Sequence, residues 1–158
     1  MKLKNWFNYD PFAWRTKVSA GVVIILCGKE LLFCHPTGHK WVDTLSFPKG
    51  GLEDGEKEID AALRELKEET SISITKDRIT NPDNPIIVDY TNKRGFRYKK
   101  VYLYTVNINS PEEIGLNGKE VPTEQLQLEE IDWCGFLSAE ESKQKIFHRY
   151  SHLLDLVK

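Results

Sequence analysis

Residues 50–72 read GGLEDGEKEIDAALRELKEETSI, a glycine turn running into an acidic stretch with helical periodicity. The spacing predicts a helix from near Lys57 to near Thr70. At about 100° per residue, Glu65, Glu68 and Glu69 share roughly 100° of arc, because positions three and four apart lie on one face. Ile59, Ala62, Leu63 and Leu66 fill the neighbouring arc and supply a stripe that packs on a sheet. Three carboxylates on one face repel one another and weaken an isolated helix. The cluster therefore points to a cation, and hard divalent ions take oxygen ligands. Residues 49–69 carry eight acids against four bases, so the charge is concentrated here.

Outward from this stretch the chain reads mostly as strands. Residues 17–27, KVSAGVVIILC, are β-branched and almost continuously apolar, as suits a strand covered on both faces. Gly28-Lys29-Glu30 is a turn, and Leu31 to His35 is the return strand of a hairpin. Pro36 to Asp43 reads as a loop and Thr44 to Phe47 as a short strand. Beyond the helix, Ile72 to Ile74 is expected to begin a strand, and Thr75 to Asn84 to form a polar loop. Ile86 to Tyr90 and Phe96 to Ile108 flank the turn Asn92-Lys93-Arg94-Gly95. Asn109 to Gln125 reads as irregular, and a short strand falls around Ile131 to Cys134. Ser138-Ala139-Glu140-Glu141 is a capping box opening helical structure that runs with interruption to Val157. Residues 1–15 hold Trp6, Phe7, Tyr9, Phe12 and Trp14, a density expected of a segment packed on the domain or on a partner. The expectation is an α/β fold with a mixed sheet between helices, formed by one domain over residues 1–158.

Bulk composition narrows the classes. At 158 residues the chain is long enough to bury a core without staples. A net charge of −2 argues against broad, charge-driven binding to nucleic acid or membrane. Cys27, Cys34 and Cys134 lack metal or disulfide spacing and read as free thiols in a reducing compartment. Neither a membrane-length apolar run nor a signal peptide is read, so a cytoplasmic location is expected.

The acidic stretch resembles the 23-residue box of the Nudix hydrolases. Gly50, Glu56, Arg64, Glu65, Leu66, Glu68, Glu69 and Ile72 match its defined positions, Ser71 stands where that family has glycine, and Phe47-Pro48-Lys49 resembles the usual lead-in. A solvated acidic face is the plain reading of a charge run, but the ordered spacing of glycine, arginine and glutamates argues against it. The resemblance implies the Nudix α/β/α sandwich and hydrolysis of a diphosphate bond with Mg2+ or Mn2+. It implies Glu65, Glu68 and Glu69 as metal ligands, Glu65 also as a candidate base, and Arg64 as the group orienting that carboxylate. Glu56 takes a supporting or outer metal role, and backbone carbonyls at Lys49 or Gly50 complete the shell. Ser71 falls where a left-handed residue is expected, at a cost of about 1 kcal/mol relative to glycine.

Other constellations are weaker. Lys93, Arg94, Arg97, Lys99 and Lys100 interleave with Phe96 and Tyr98, as in a hairpin that grips phosphates and stacks a base. We single out Lys49, Arg97 and Tyr98 as substrate contacts, with Glu130 as the acid from outside the box; Glu124 and Glu129 are its competitors. His148 and His152 have the spacing of a two-histidine metal site without a nearby third ligand. His35 and His39 lie in the loop before the box, and Trp41, Tyr90 and Trp133 are candidates to stack an adenine, although large aromatics more often fill cores. The stretch before the box looks most like family members acting on dinucleoside polyphosphates of the Ap4A type. ADP-ribose, an RNA 5′ end and a nucleotide-sensing module without catalysis are the alternatives, and the sequence is silent on oligomeric state.

Overall fold

The computed structural model describes residues 16–157. The expectation for the aromatic segment 1–15 lies outside those residues. Six strands form one mixed sheet: β1 (Lys17–Leu26), β2 (Glu30–Pro36), β3 (Lys49–Gly51), β4 (Ile86–Thr91), β5 (Arg97–Ile108) and β6 (Ile131–Ser138). Helix α1 (Glu58–Thr70) follows β3, and a single turn, α2 (Ala139–Ser142), follows β6. The strand order is β4-β5-β1-β2-β6, with β3 added on β1.

The centre of the sheet is the parallel ladder of β1 on β5, from Lys17↔Lys99 to Leu26↔Ile108. Such a strand is covered on both faces, which is why residues 19–26 are all buried. Even positions such as Val22 and Ile24 meet Ala61, Ala62 and Leu66 of α1. Odd positions such as Val23 and Ile25 join Phe33, Phe47, Leu103, Tyr150 and Leu153 on the other face. With α1 on one face and the C-terminal segment on the other, the expected α/β/α sandwich is what the chain forms.

The sheet is forked where the site forms. β1 pairs with β2 only at Ile25↔Leu31 and Leu26↔Glu30. Past that point the strands diverge, β1 takes β3 (Ser19↔Gly51, Ala20↔Gly50, Gly21↔Lys49), and Cys34 of β2 bridges to Ser46. Contact in the fork is tight, since a Cβ on Gly21 would sit 2.4 Å from the Pro48 carbonyl oxygen.

Two local expectations need correction. Residues 44–47 hold only isolated bridges, and the strand forms at Lys49–Gly51 instead, because small residues allow the approach to β1. Ile72 to Ile74 is not a strand: Ile72 is buried in the core and its N–H donates to Thr70 Oγ1 rather than to a ladder. The C-terminal stretch is helical with an interruption, as expected, α2 being followed by a 3-10 helix over His148–Leu156. Tyr150 and Leu153 are buried three apart, a repeat that matches three residues per turn. On that winding His148 and His152 do not share a face, and His148 pairs with Asp43 at 3.1 Å.

Candidate active site

The site begins with a missing side chain. Gly50 faces α1, and a Cβ there would lie 2.2 Å from Cδ of Glu65, so the carboxylate occupies space that only glycine leaves open. One turn further, Glu69 is 7% exposed and accepts the Lys49 N–H at 3.2 Å. Burial raises the Glu69 carboxyl to about 8, with Lys49 pulling the other way and Glu65 and Glu130 adding repulsion. Burial also raises Glu65, opposed by Arg64.

Arg64 organises the rest. Its Nε and Nη2 grip both oxygens of Glu56 at 2.9 Å, and Nη2 also donates to the Gly51 carbonyl at 2.9 Å. Nη1 reaches Glu65 at 3.0 Å and Glu68 at 3.1 Å. These bonds hold Glu56 below the usual carboxylate range and Arg64 firmly protonated. Glu56 is thereby engaged by the guanidinium and does not line the cavity, while Glu65, Glu68 and Glu69 do.

That cavity, about 300 Å³, is walled by these three glutamates, Glu130, Gln127 and the Lys49–Gly51 segment. A smaller one of about 150 Å³ shares Lys49, Glu69 and Glu130 and extends to Cys34, Pro36 and Phe47. A larger cavity, about 820 Å³, lies by Leu26, Asn109, Pro111 and Ala139 and holds none of the box residues. Chemistry, not size, places the candidate site in the first. Of the three acids after the box, the fold brings only Glu130 to that cavity.

Ser71 contributes to that choice. It adopts the left-handed conformation (φ 65°) that ends α1, its N–H returning to the Lys67 carbonyl at 2.9 Å. Its hydroxyl donates to the Gln125 carbonyl at 2.8 Å, and Gln127 N–H donates to the Glu69 carbonyl at 3.0 Å. The helix end thus ties down the loop that carries Gln127 and Glu130.

The hairpin residues fall differently from expectation. Arg97 pairs with Asp89 at 3.4 Å on the surface and Tyr98 packs edge-on against Tyr90; neither lines the acidic cavity. Lys99 does not line it either, but it is the hairpin lysine whose charge is most perturbed. It is parallel-paired with Lys17, and burial lowers it to about 8, with repulsion from Lys49 and Lys17. None of these three lysines makes an ion pair among the described residues, although Lys99 lies over the Tyr90 ring at 5.1 Å. Register, not spacing along the chain, sets Lys17 beside Lys99, so Lys17 had no sequence signal.

The donor set fits a hard divalent cation: carboxylate and carbonyl oxygens around a small cavity, one carboxyl buried and short of countercharge. Among the described residues no three His, Cys, Asp or Glu side chains stand converged on one point, because Arg64 draws Glu56, Glu65 and Glu68 toward itself.

The sequence profile of the NUDIX domain matches residues 15–155. The chain belongs to the Nudix family. Among solved structures it is similar to a C. elegans Ap4A hydrolase in a binary complex, with 28% identity and a TM-score of 0.60, covering 89% of this chain and 93% of that one. The fold is shared by a MutT Nudix hydrolase from Burkholderia pseudomallei (17% identity, TM-score 0.64, 90% and 98% covered). It is shared also by a bifunctional NMN adenylyltransferase/ADP ribose pyrophosphatase from Francisella tularensis (18%, 0.60, 89% and 41%). No curated protein matches the sequence significantly. The protein is a Nudix pyrophosphohydrolase, of a group that generally uses a divalent metal such as Mg2+ and acts on nucleotide substrates. No helix among the described residues is long and apolar enough to cross a membrane.

Proposed function

We propose that the protein hydrolyses a pyrophosphate bond in a dinucleoside polyphosphate of the Ap4A type. The observation that carries this reading is the juxtaposition of an acidic and a basic charge group. Glu65, Glu68, Glu69 and Glu130 surround one cavity that Lys49 also lines, and Lys99, which feels the charges of Lys49 and Lys17, has no ion-pair partner among the described residues. A half-buried lysine that feels the charge of other lysines is stabilised by a polyanion, and a long phosphate chain reaches from one group to the other. The similarity to the C. elegans Ap4A hydrolase over most of both chains supports the same substrate class.

Glu65, Glu68 and Glu69, with the Gly50 carbonyl, would hold Mg2+ or Mn2+, and Glu56 acts behind them through Arg64. When bound, such an ion neutralises phosphate charge and lowers the pKa of water. Arg64 orients Glu65 and Glu68 through its fixed fork. Glu65, raised by burial, is the carboxylate suited to accept a proton from the attacking water. Lys49 and Lys99 hold the remaining phosphates.

The test is a panel of Ap4A, ADP-ribose, 8-oxo-dGTP and 5′-triphosphate RNA, assayed with Mg2+. Ap4A is expected to give the highest kcat/KM. A higher value for any other member overturns the substrate assignment, with 5′-triphosphate RNA as the competitor that a cytoplasmic RNA-end function requires. Binding without turnover of any member would make the chain a nucleotide sensor.

A further inference from the structure

His35 is almost wholly buried, at 1% exposure, although its ring is polar and the strands around it are largely apolar. Its placement depends on a β-bulge. β2 and β6 pair in step from Glu30↔Ser138 to His35↔Trp133, and then Pro36 pairs with Ile131, leaving Asp132 as the extra residue. Without the bulge, Asp132 would point to the face opposite Trp133. With it, the carboxylate turns toward His35, whose Nδ1 lies 2.6 Å from Asp132 Oδ1. The other nitrogen, Nε2, lies 3.1 Å from the Lys40 carbonyl oxygen. These two contacts, one on each ring nitrogen, fix the orientation of the imidazole.

On this ring lies Trp41. The two rings stack at 4.0 Å between centroids and 7° between planes. Trp133 meets Trp41 edge-on at 5.3 Å and is itself seated over Gly135, where a Cβ would come within 2.6 Å of the indole. Despite this support from below, Trp41 remains 40% exposed. The same loop is joined to the catalytic cavity. Thr37 N–H donates to the Glu130 carbonyl at 3.1 Å, its hydroxyl donates to Leu128 O at 2.8 Å, and Pro36 lines the small cavity beside Glu69.

We propose that the bulged Asp132, acting through His35, fixes Trp41 as the platform on which a nucleobase of the substrate stacks. This rests on the nucleotide-hydrolase reading above and names the part of the substrate that Trp41 recognises. An indole held flat on the His35 ring has one face left, and an exposed π-face is what a base requires. Trp41 touches the base; His35 and Asp132 are positioning residues.

The test measures inhibition of the wild-type enzyme and its variants by ATP, which has a base, and by inorganic tripolyphosphate, which has none. Tryptophan fluorescence is recorded during each titration. For Trp41→Ala, the Ki for ATP should rise about 10- to 100-fold, with tripolyphosphate unchanged. Trp41→Phe should restore most of the affinity while losing the ATP-induced quench. His35→Gln and Asp132→Asn should raise KM several-fold with kcat retained, each in the same direction as Trp41→Ala. An unchanged Ki for ATP in Trp41→Ala overturns the proposal, as does an equal rise for both inhibitors, which would mark a merely structural role. Should the wild type hydrolyse no member of the panel, the reaction assigned above fails, while the ATP quench still decides the platform.

Discussion

The acidic and basic halves of the site are built on opposite plans. On the α1 side, one guanidinium serves three carboxylates and a backbone carbonyl, so Glu56, Glu65 and Glu68 are oriented before any ligand arrives. On the other side, Lys17 and Lys99 are paired across β1 and β5, Lys49 of β3 adds to their repulsion, and none of the three makes an ion pair among the described residues. Glu69 stands between the two plans: a box glutamate by sequence, but one that Arg64 does not touch. The difference teaches which groups are pre-organised and which wait for countercharge. Arg64 supplies geometry, whereas Glu69 and Lys99 carry the electrostatic imbalance, shifted in opposite senses to about 8. A cation relieves the first and a polyphosphate the second, so each ligand favours the binding of the other.

The sharpest way to break this contrast is Glu69→Gln. Turnover should fall by about 10²- to 10⁴-fold with the circular dichroism spectrum unchanged, and a near-normal rate would remove Glu69 from the chemistry. Gly50→Ala comes next. The added Cβ collides with Glu65, so kcat should drop by about 100-fold and stability by roughly 1–3 kcal/mol, read by steady-state kinetics and denaturant titration. A third measurement isolates the imbalance itself. The Glu69 carboxyl is raised in the folded protein, so the folded state holds a proton that the unfolded chain releases near 4.5. Its stabilising contribution is therefore present at low pH and lost as pH rises through about 8. Metal-free protein should lose on the order of 3 kcal/mol between pH 5 and 9 from this group, and Glu69→Gln should flatten that slope.

Lys99 gives a smaller, opposite limb. Its charge is lost above about 8, so KM for Ap4A should climb as pH passes that point. Lys99→Met should raise KM about 10-fold at pH 7 and abolish the climb. Ser71→Gly is the mildest change. It relieves left-handed strain but deletes the hydroxyl bond to Gln125, so stability should stay within about 1 kcal/mol. A drop of about two-fold in kcat, measured beside the wild type, would show that the tie helps seat Glu130.

Legibility in the sequence followed the range of the interactions. Helix α1 and its clustered glutamates were readable because a helical face is set by neighbours three and four apart. The central strands declared themselves through continuous apolar runs. Arg97 and Tyr98 were misplaced because strand spacing alone does not tell which hairpin residues meet the box; the Asp89 pair and the register with β1 decide that. Glu130 was indistinguishable from Glu124 and Glu129 because its position depends on the bonds from Ser71 and Gln127 to other segments. The strand at Lys49–Gly51 was hidden for a related reason: two glycines carry little strand propensity, and β1 imposes the pairing. Asp132 gave no signal at all, since a one-residue bulge leaves the alternation of β6 looking intact.

The parallel ladder of β1 and β5 joins residues far apart in the chain; Cys27 and Asn109, at its far end, are 82 positions apart and still share a hydrogen bond. Contacts of such range are formed late, after the entropy of closing a long loop has been met. Lys17 therefore reaches Lys99, and β1 receives its second neighbour, only once the whole intervening chain, box included, has been made. The pairing of Lys17 with Lys99 belongs to the completed fold and to no shorter piece of the chain.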